Sequence, residues 1–321
     1  MNLIFNIAKR KTDNVIQEIF TDSNFRGDVL FDEPMKGHTT LRIGGFADVL
    51  AVPRDAISVR NLISEARDKN IPVTPVGGGS NLLVADEGIG GVVVSTAFLN
   101  RMRVVEKLDD GIRLFVEAGS PLQKVVHFAK EKGYTGIEGL AGIPGFMGGA
   151  VKGNAGSFGY EIGTVIESVA IINPYGKLAI LDPGYLDPGY RSSAIPDECI
   201  ILSANIRLQK GDVHDVARRV KDFLREKRES QPLSEWSAGC VFKNPEDARA
   251  GRLIDEAGCK HLKRGDVEVS GLHANFFINR GSGRAADFLA LMDVVKERVM
   301  KLFGYELEPE IKVVGRGGRC C

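Results

Sequence analysis

The order of hydrophobic and polar positions predicts a helix followed by two short strands in the first third of the chain. Apolar residues recur at helical spacing between residues 54 and 69, namely Val59, Leu62, Ile63 and Ala66. The runs PVTPV (72–76) and GVVVS (91–95) follow, separated by a glycine-rich turn. A helical period predicts an amphipathic helix, and short apolar runs bounded by turn residues predict strands. Residues 25–98 are therefore expected to form an α+β unit.

The same alternation continues in the middle of the chain. IRLFVEAG (112–119) is typical of a strand, and PLQKVVHFAKEKG (121–133) is typical of a helix. Proline suits the first turn of that helix and glycine suits its end, because each matches the backbone needed there. Three further strands are predicted at 165–172, 177–181 and 199–208.

Two longer amphipathic helices are predicted in the C-terminal third. The first has Val213, Val216, Val220, Phe223 and Leu224 on one face, and the second has Phe288, Met292, Val295, Val299 and Leu302. The first ends in the charged run REKRES (225–230), which we interpret as a domain junction. The predicted division is an N-terminal extension (1–24), three folded segments (25–98, 99–230 and 231–315) and a tail (316–321).

Glycine is concentrated in two segments that are able to bind an anion. In PVGGGSNLLV (75–84), three successive glycines allow backbone N–H groups to turn towards a pyrophosphate. Between Gly136 and Gly163, ten of 28 residues are glycine, yet apolar residues such as Phe146 and Met147 distinguish this segment from a solvated linker. The first segment alone is equally consistent with a surface turn. Together, the two suggest one extended dinucleotide.

Composition and charge restrict the classes of function. The 321 residues include 42 Lys and Arg and 42 Asp and Glu, so the formal net charge is zero. A neutral chain without a basic run lacks the electrostatic basis for non-specific binding to nucleic acid or to anionic membranes. The apolar runs are far shorter than the roughly 18 residues that span a bilayer, and the N-terminus does not have the pattern of a secretory signal. The sequence predicts a cytoplasmic protein with no nucleic-acid or membrane partner.

The cysteines and histidines predict neither a disulfide framework nor a metal site. The five cysteines, Cys199, Cys240, Cys259, Cys320 and Cys321, contain no CxxC pair. Five is an odd number, and a chain of this size does not need disulfides for stability. Cys320 and Cys321 are typical of an unstructured tail. No second histidine lies at metal-ligand spacing from His273, which is interpreted as a core histidine.

Two short motifs contain candidate catalytic and binding residues. SAGCVFKNP (237–245) places Cys240 close to Lys243 and Asn244, which suit an anionic ligand. A thiol with a reference pKa of about 8.5 is able to donate a proton near neutral pH. GYRSS (189–193) offers Tyr190 and Arg191, whose planar guanidinium suits a carboxylate. A small core cysteine and a surface salt bridge are the alternatives for these two motifs.

The segment YELEPEIKVVG (305–315) predicts a strand with three carboxylates on one face. Residues two apart share a face of a strand, so Glu306, Glu308 and Glu310 are expected to project to the same side. Such a row of carboxylates most often faces water.

Seven segments, in this order, resemble the UDP-N-acetylenolpyruvoylglucosamine reductase (MurB) family over residues 37–315. They are HTTLRIGGFAD (38–48), PVGGGSNLLV (75–84), AGIPGFMGGAVKGNAGSFG (141–159), GYRSS (189–193), GCVFKNP (239–245), HANFFIN (273–279) and LEPEIKVVG (307–315). The resemblance implies an α+β fold. Its parts are a vanillyl-alcohol-oxidase (PCMH-type) FAD-binding region of two α+β subdomains (25–98 and 99–230) and a C-terminal α+β substrate-binding domain (231–315).

The resemblance also implies an activity. NADPH reduces FAD and leaves, and an enolpyruvyl sugar nucleotide takes its place. That substrate receives a hydride from flavin N5 at C3 and a proton at C2, which gives UDP-N-acetylmuramate, a precursor of peptidoglycan. The implied cofactor is FAD, NADPH is the co-substrate, and the partner is a small-molecule UDP-sugar. Apart from the resemblance, we expect a monomer without a metal site.

Roles carried over by motif complete the implied site. Arg191 would stabilise the negative charge that develops on C2 and its carboxylate, with Glu310, or Glu308 in its place, completing the polar environment. Cys240 would donate the proton, at a position where the family more often has serine. The substrate would be contacted by Tyr190, Lys243 and Asn244, the last two through its diphosphate. FAD would be held by Gly77, Gly78, Gly79, Ser80, Asn81, Leu82, Gly142, Pro144, Gly145, Gly148, Asn154 and Gly156.

The spacing of the motifs resembles one subgroup of the family. Only 48 residues separate Arg191 from Cys240. This resembles the subgroup that lacks a tyrosine-bearing lid loop, so another part of the protein would have to cover the bound substrate.

Three other functions fit part of the pattern. A related flavin-dependent oxidase would use molecular oxygen and would have no need of NADPH. An acyl transferase would use Cys240 as a nucleophile with His273, and would be labelled covalently by its substrate. A regulatory module would bind FAD without oxidising NADPH.

Overall fold

The computed structural model describes residues 16–20, 24–316 and 318–319. They form two compact units, each assembled from separate stretches of chain. The first unit contains the chain up to Glu33 together with Ala47–Gly78 and Gly90–Phe223. The second contains Pro34–Phe46, Gly79–Ile89 and the chain from Leu224 onwards. Most of the predicted N-terminal extension, and Cys320 and Cys321 of the predicted tail, lie outside the described residues.

The described residues mix helices with mainly antiparallel strands, which confirms the predicted α+β class. The helices are α1 (Ala56–Asp68), α2 (Leu122–Lys132), α3 (Met147–Lys152), α4 (Pro183–Leu186), α5 (Val213–Ser230), α6 (Ala250–Glu256) and α7 (Ala285–Phe303). The strands are β1 (Gly27–Pro34), β2 (Phe46–Pro53), β3 (Val73–Val76), β4 (Leu82–Val84), β5 (Ile89–Ser95), β6 (Met102–Leu108), β7 (Gly111–Glu117), β8 (Tyr134–Thr135), β9 (Gly156–Ser157), β10 (Tyr160–Glu161), β11 (Ile166–Ile172), β12 (Leu178–Leu181), β13 (Ile200–Lys210), β14 (Lys263–Arg264), β15 (Val267–Val269), β16 (Phe277–Asn279), β17 (Lys312–Gly315) and β18 (Gly318–Arg319).

A four-stranded sheet with helix α1 forms one part of the first unit. The strand order is β1-β2-β5-β3, and β3 and β5 are parallel. Helix α1 begins where the Asp55 side chain accepts the N–H of Ser58 at 2.8 Å, because an aspartate at this position satisfies a helix donor that otherwise lacks a partner. Residues 16–20 are also helical, and Ile16 and Ile19 are fully buried in the same core. This part of the predicted N-terminal extension therefore belongs to the folded unit.

A six-stranded antiparallel sheet forms the other part of the first unit. Its order is β12-β11-β13-β7-β6, and the short strand β8 also pairs with β13. Helix α2 leaves this sheet close to the predicted bounds and ends at Gly133, whose φ of +69° is the left-handed conformation that favours glycine. The glycine-rich residues from Gly136 onwards follow directly, so sheet and helix together fix where that segment begins.

The second unit combines helices α6 and α7 with two three-stranded sheets, β14-β15-β16 and β18-β17-β4. Strand β17 runs parallel to β4, although the two are far apart in sequence. The buried apolar face of α7 includes Phe288, Met292, Val295 and Val299, as the spacing predicts, whereas the fifth predicted residue, Leu302, is 58% exposed in the last turn. Since β4 comes from the first third of the chain, the compact units differ from the continuous segments 25–98, 99–230 and 231–315, which remain a prediction of domains.

The prediction of a strand that contains Glu306, Glu308 and Glu310 is wrong. Residues 304–308 have no regular structure, and strand β17 begins only at Lys312. The N–H groups of both Glu310 and Ile311 point to the carbonyl of Val241, at 2.8 and 3.3 Å. Two successive donors on one acceptor interrupt the regular ladder, as in a β-bulge, so alternating burial persists here without a continuous strand.

No helix in the part of the chain that the structure describes has both the length and the apolar character needed to cross a membrane.

Candidate active site

The two glycine-rich segments touch each other in the first unit. A Cβ atom at Gly78 would lie 2.9 Å from the Cα of Gly145 and 3.3 Å from the nitrogen of Phe146. At Gly77, a Cβ atom would lie 3.8 Å from the nitrogen of Gly149. Backbones can approach this closely only where a side chain is absent. The structure thus brings together the two segments that the sequence predicts to hold one dinucleotide.

A glutamine at the start of α2 anchors the second glycine-rich segment. The Gln123 side chain accepts the N–H of Gly142 at 2.9 Å and donates to the carbonyls of Leu140 and Ile143 at 3.0 and 2.7 Å. Gly142 and Gly145 have φ values of +79° and +107°, which favour glycine. Sequence reasoning did not single out Gln123, because a polar residue in the first turn of an amphipathic helix carries no signal of its own.

Some residues of the second glycine-rich segment pack against the sheet, and others are exposed to solvent. A Cβ atom at Gly148 would lie 2.9 Å from the Cβ of Ala118, so this glycine permits close packing against the end of β7. Pro144 is exposed, and Gly149 is exposed with nothing within 4 Å of an added Cβ atom. The segment therefore has one packed face and one accessible face.

A buried ion pair holds the beginning of the segment to helix α5. Glu138 is 1% exposed, and its carboxylate accepts from the Thr135 hydroxyl, the Gly136 N–H and the Arg219 guanidinium, each at 2.7 Å. Burial alone would raise the pKa of Glu138, but these hydrogen bonds outweigh burial and lower the pKa below its usual range. Glu138 therefore remains a carboxylate and fixes the turn that precedes the glycines.

Aromatic stacking holds α5 to the far end of the same segment. The ring of Phe223 stacks on that of Phe158 with centroids 4.5 Å apart, and meets Tyr160 edge-on at 5.9 Å. Such pairs contribute roughly 0.5–1.5 kcal/mol beyond the burial of their area. Helix α5, predicted only as an amphipathic helix, thus braces both ends of the glycine-rich segment.

Asn154 is a structural residue in this arrangement. It is 1% exposed, and its amide nitrogen donates to Glu161 Oε2 at 2.8 Å and to the carbonyl of Gly189 at 3.0 Å. Its amide oxygen accepts the N–H of Gly163 at 3.0 Å. The side chain predicted to hold FAD therefore ties the glycine-rich segment to the beginning of GYRSS.

Tyr190 and Arg191 form the tip of a two-residue turn. Gly189 and Ser192 exchange backbone hydrogen bonds of 3.2 and 3.3 Å. Arg191 has a φ of +57°, a left-handed conformation that is uncommon for arginine and is often found at functional sites. Its guanidinium lies 5.3 Å from the centre of the Tyr190 ring, and its Nη1 is 3.5 Å from the position of a Cβ atom on Gly156. The guanidinium thus reaches the segment predicted to hold FAD.

The first glycine-rich segment continues into the second unit at Gly79. This residue has a φ of +62°, and a Cβ atom there would lie 2.0 Å from the carbonyl oxygen of His38. Its own carbonyl accepts the N–H of Thr40 at 3.1 Å, and the hydroxyl of Thr40 donates to the carbonyl of Ser237 at 2.7 Å. The predicted FAD-binding turn is therefore joined to the segment that leads to Cys240.

Asn81 makes a second link of this kind. Its side-chain nitrogen donates to the carbonyl of Glu310 at 3.0 Å, and its own carbonyl accepts the N–H of Lys312 at 3.1 Å. Ser80 is half-buried, and Leu82 is buried as the first residue of β4. A predicted cofactor residue and a predicted catalytic residue are therefore neighbours.

Cys240 lies in a short segment that is paired on both sides. It forms an isolated bridge with Phe276, and Phe242 forms another with Pro309. Cys240 is half-buried, and the described cysteines, Cys199, Cys240 and Cys259, form no disulfide. Burial raises the pKa values of the Cys199 and Cys259 thiols. Cys240 is thus the most accessible of these three cysteines.

Lys243 and Glu308 form the charged end of this segment. Lys243 Nζ lies 2.5 Å from Glu308 Oε1, and the backbone N–H of Lys243 donates to the carbonyl of Glu308 at 2.8 Å. Asn244 Oδ1 accepts the N–H of Ala250, the first residue of α6, at 3.0 Å. Glu310 is half-buried, and its N–H donates to the carbonyl of Val241. The second unit thus gathers Cys240, Lys243, Asn244 and Glu310, and Tyr190 and Arg191 belong to the first.

His273 has the character of a core histidine. Its ring meets Phe276 edge-on with centroids 4.9 Å apart, and its Nδ1 accepts the N–H of Asn275 at 3.3 Å. Burial lowers the pKa of His273, which favours the neutral ring. Within the described residues, no group of three or more His, Cys, Asp or Glu side chains is arranged to hold a metal ion.

Two family models match the chain in regions that contain the predicted cofactor residues and the predicted site residues other than Tyr190 and Arg191. The model described as an FAD binding domain matches residues 47–182. The model described as the C-terminal domain of UDP-N-acetylenolpyruvoylglucosamine reductase matches residues 231–314. These matches agree with the predicted fold of a PCMH-type FAD-binding region and a C-terminal domain.

Relatives and a solved structure agree with these matches over most of the chain. The UDP-N-acetylenolpyruvoylglucosamine reductase of Geotalea uraniireducens (strain Rf4) is 42% identical over 290 residues, which cover 90% of this chain and 95% of that protein. The protein of the same name from Clostridium novyi (strain NT) is 41% identical over 282 residues, covering 88% and 90%. The crystal structure of UDP-N-acetylenolpyruvylglucosamine reductase (MurB) from Thermus caldophilus is 34% identical, with a TM-score of 0.75, over 90% of this chain and 99% of that one.

Proposed function

Because the chain belongs to the UDP-N-acetylenolpyruvoylglucosamine reductase family, we propose that it catalyses the NADPH-dependent reduction of UDP-N-acetylglucosamine enolpyruvate to UDP-N-acetylmuramate. One NADPH and one proton are consumed, a hydride is added at C3 of the enolpyruvyl group, and a proton is added at C2. FAD, when bound, supplies the relay that takes the hydride from NADPH and delivers it from N5 to the substrate.

The observation that carries this proposal is the combination of both matched regions with the residues gathered in the second unit. The FAD-binding match ends at residue 182 and the reductase C-terminal match begins at residue 231. Cys240, Lys243 and Glu310 all lie within the second match, on two backbone segments joined by hydrogen bonds from the N–H of Lys243 to the carbonyl of Glu308 and from the N–H of Glu310 to the carbonyl of Val241. A plain FAD-binding module or an oxygen-dependent oxidase gives no reason for this set.

The glycine-rich segments fit an extended FAD diphosphate. At Gly77 an added Cβ atom would meet only the backbone nitrogen of Gly149, and at Gly149 it would meet nothing within 4 Å, so the backbone is accessible beside both glycines. Accessible backbone N–H groups are favourable partners for phosphate oxygens. We assign Gly77, Gly78, Gly142 and Gly145 to cofactor contact, whereas Asn154 acts by shaping the segment.

Cys240 is proposed as the proton donor to C2. The hydride adds first at C3 and leaves negative charge on C2 and its carboxylate, which a nearby acid then quenches. A half-buried thiol held by backbone pairing on both sides keeps Sγ in one place, which general-acid catalysis requires. Serine, at the same position in more typical members of the family, would donate from a similarly placed oxygen.

Arg191 is proposed to stabilise the negative charge that develops during hydride transfer. The positive φ of Arg191 sets the direction in which its side chain leaves the backbone, and the guanidinium lies 5.3 Å from the centre of the Tyr190 ring, a contact that favours one orientation. A donor that is already oriented loses little energy to reorganisation during the reaction, which is the basis of electrostatic catalysis. Tyr190, which is 47% exposed, is proposed to contact the substrate beside it.

Lys243 and Asn244 are proposed to bind the diphosphate of the substrate, and Glu310 to complete the polar environment of the reacting group. The contact with Glu308 holds the ammonium of Lys243 beside residues 308–310. We also propose that the protein acts as a monomer in the cytoplasm, where both nucleotide substrates are available.

An anaerobic visible spectrum tests the proposal. NADPH should bleach the flavin band, and addition of the enolpyruvyl sugar nucleotide should restore it. Bleaching that is reversed by oxygen but not by the enolpyruvyl substrate would instead support the oxidase.

A further inference from the structure

The segment HANFFIN (273–279) lies along one side of residues 240–243, here called the Cys240 segment. Its backbone pairs with that segment through Phe276, opposite Cys240, and through Asn275, whose carbonyl accepts the N–H of Val241 at 2.8 Å. On the other side, residues 308–311 contact the same segment through Glu308 and Glu310. Cys240 to Lys243 therefore behave as a central strand that is held from both sides.

On the side of HANFFIN, the Asn275 side chain takes the place of backbone hydrogen bonds that a regular strand pair would make. Asn275 Oδ1 accepts the N–H of Phe242 at 2.9 Å, and Asn275 Nδ2 donates to the carbonyl of Phe242 at 2.8 Å. Asn275 is 2% exposed and Phe242 is fully buried. With its own carbonyl on Val241, this single residue satisfies three backbone groups of two successive residues, none of which has access to water.

The amide is the side chain that fits this role. Both of its functions are used at once, one as an acceptor and one as a donor, towards the two polar groups of the same residue. An ionised carboxylate of the same shape would place an acceptor against the Phe242 carbonyl. An alanine would leave both Phe242 groups buried without a partner, at a cost of about 1–3 kcal/mol each.

We propose that Asn275 is a positioning residue for reduction of the enolpyruvyl group, because it fixes the backbone at Val241 and Phe242 and thereby places Cys240 Sγ and Lys243 Nζ. The inference rests on the proposed function. Displacements of about 1 Å in such groups can slow a reaction by roughly 10², so a residue that touches no reactant can still control the rate.

A second buried asparagine in the same segment provides a matched control. Asn279 is 3% exposed and donates to the carbonyls of Leu41 and Arg42 at 3.0 and 3.3 Å. Its oxygen accepts the N–H groups of Gly281 and Gly283. Asn279 is as buried and as well bonded as Asn275, but its side-chain hydrogen bonds do not involve residues 240–243. Its backbone N–H donates to the carbonyl of Trp236 at 2.9 Å, a bond that Asn279→Ala retains.

The first experiment compares Asn275→Ala and Asn279→Ala as FAD-loaded proteins, below the unfolding temperature of both. For Asn275→Ala, bleaching by NADPH should stay within about twofold of wild type, and flavin reoxidation by the enolpyruvyl substrate should slow about tenfold or more. For Asn279→Ala, any loss should fall on both half-reactions alike. Equal slowing of the two half-reactions in Asn275→Ala would overturn the positioning role.

The second measurement does not depend on the reaction. Alkylation of Cys240 by iodoacetamide, followed by mass spectrometry of its peptide, reports the environment of the thiol. The rate should rise about threefold or more in Asn275→Ala, because the lost hydrogen bonds loosen the segment, and should stay close to wild type in Asn279→Ala. If wild type fails to reduce the enolpyruvyl substrate, the proposed function is wrong, and this measurement still decides whether Asn275 fixes Cys240.

The variant Asn275→Asp supplies a readout that simple destabilisation would not produce. A protonated carboxyl can donate to the Phe242 carbonyl as the amide does, whereas the ionised form cannot. Its reoxidation rate, divided by that of wild type at each pH, should therefore recover as the pH falls from about 8 to about 6, since burial raises a carboxyl pKa. His273, Cys240, Lys243, Glu308 and Glu310 also face this region but are common to both proteins. A ratio that does not change with pH would contradict the proposal.

Discussion

At the scale of single residues, Cys240 differs in a chemically informative way from the serine that the family more often has. A thiol loses its proton more readily than a hydroxyl, and the segment on both sides of Cys240 is fixed by backbone pairing. The proposed proton donor is therefore a more acidic group than a serine hydroxyl would be. This makes the thiol a sensitive probe of the proposed protonation step.

Replacement of Cys240 by alanine should separate the two half-reactions. Bleaching of the flavin by NADPH should remain close to wild type, because the thiol has no role in that step. Reoxidation by the enolpyruvyl substrate should slow by roughly 10²–10⁴, the range for loss of a general acid. Stopped-flow absorbance of the flavin band measures both rates.

Cys240→Ser is the control for this prediction, since a hydroxyl at the same place is still able to donate a proton. It should recover most of the reoxidation rate. If Cys240→Ala slows bleaching and reoxidation equally, Cys240 is not the proton donor.

Arg191→Lys should cost more activity than the retained charge suggests. Lysine lacks the planar fork that can hold both oxygens of a carboxylate, and it would not stack on Tyr190 in the same way. The ratio kcat/KM for the enolpyruvyl substrate should fall by about tenfold or more, roughly the value of one charged hydrogen bond. Turnover equal to wild type would remove Arg191 from the site.

At the scale of elements, the two glycine-rich segments and helix α5 form one assembly within the first unit. Gly78 contacts Gly145, while Arg219 and Phe223 on α5 hold the segment near Glu138 and near Phe158. The glycines supply close approach, and the helix supplies rigidity that the glycines lack. The shape of the proposed cofactor site therefore depends on residues of α5 as well as on the glycines.

Gly78→Ala should weaken FAD binding. The added Cβ atom would lie 2.9 Å from the backbone of Gly145, so one of the two segments must move. Overpacking of this kind costs about 1–3 kcal/mol, which implies a loss of FAD affinity of about fivefold or more. Fluorescence titration of the apoprotein with FAD measures it.

Gly184→Ala is the matched control for this substitution. Gly184 is exposed, and nothing lies within 4 Å of an added Cβ atom. It should bind FAD as wild type does. Unchanged FAD affinity in Gly78→Ala would show that the contact of the two segments does not shape the cofactor site.

Glu138→Gln should change how stability depends on pH. The pKa of Glu138 is lowered in the folded protein, so in acid the unfolded chain binds more protons and the contribution of the ion pair with Arg219 is lost as the pH falls. Wild type should therefore lose stability between about pH 5 and pH 3, and Glu138→Gln should lose less over this interval although it is weaker at pH 7. Urea midpoints across this range measure the effect.

Glu229→Gln, at an exposed position of the same helix, should keep the pH dependence of wild type. Parallel profiles for Glu138→Gln and wild type would show that Glu138 does not stay ionised through the buried ion pair.

Elements formed by interactions between residues close in sequence could be predicted, and elements formed by residues distant in sequence could not. Helix α1 and the strand–helix pair β7–α2 are local, since periodicity and end residues determine them, and they were predicted to within two residues. The predicted strand through Glu308 does not form, because the N–H groups of Glu310 and Ile311 both bond to the carbonyl of Val241. The alternation of apolar and polar residues in the sequence does not reveal such an irregularity. Gln123 and Asn275 were missed because their role is to bond backbone that is distant in sequence.

At the scale of the whole molecule, the fold class and the order of the motifs were predictable, and the composition of the compact units was not. Strand β4, within a glycine-rich region, pairs in parallel with β17 near the C-terminus. A pairing between strands so far apart in sequence has no local signal in the sequence. It joins Asn81 to Glu310 and so connects a predicted cofactor residue with a predicted catalytic residue inside the second unit.

An anaerobic visible spectrum of the FAD-loaded protein, recorded as NADPH and then the enolpyruvyl sugar nucleotide are added, is the most direct test of the proposed function. NADPH should bleach the flavin band, and the enolpyruvyl substrate should then restore it with formation of UDP-N-acetylmuramate. A protein that cannot be loaded with FAD, or a bleached flavin that the enolpyruvyl substrate does not reoxidise, would contradict the proposed function.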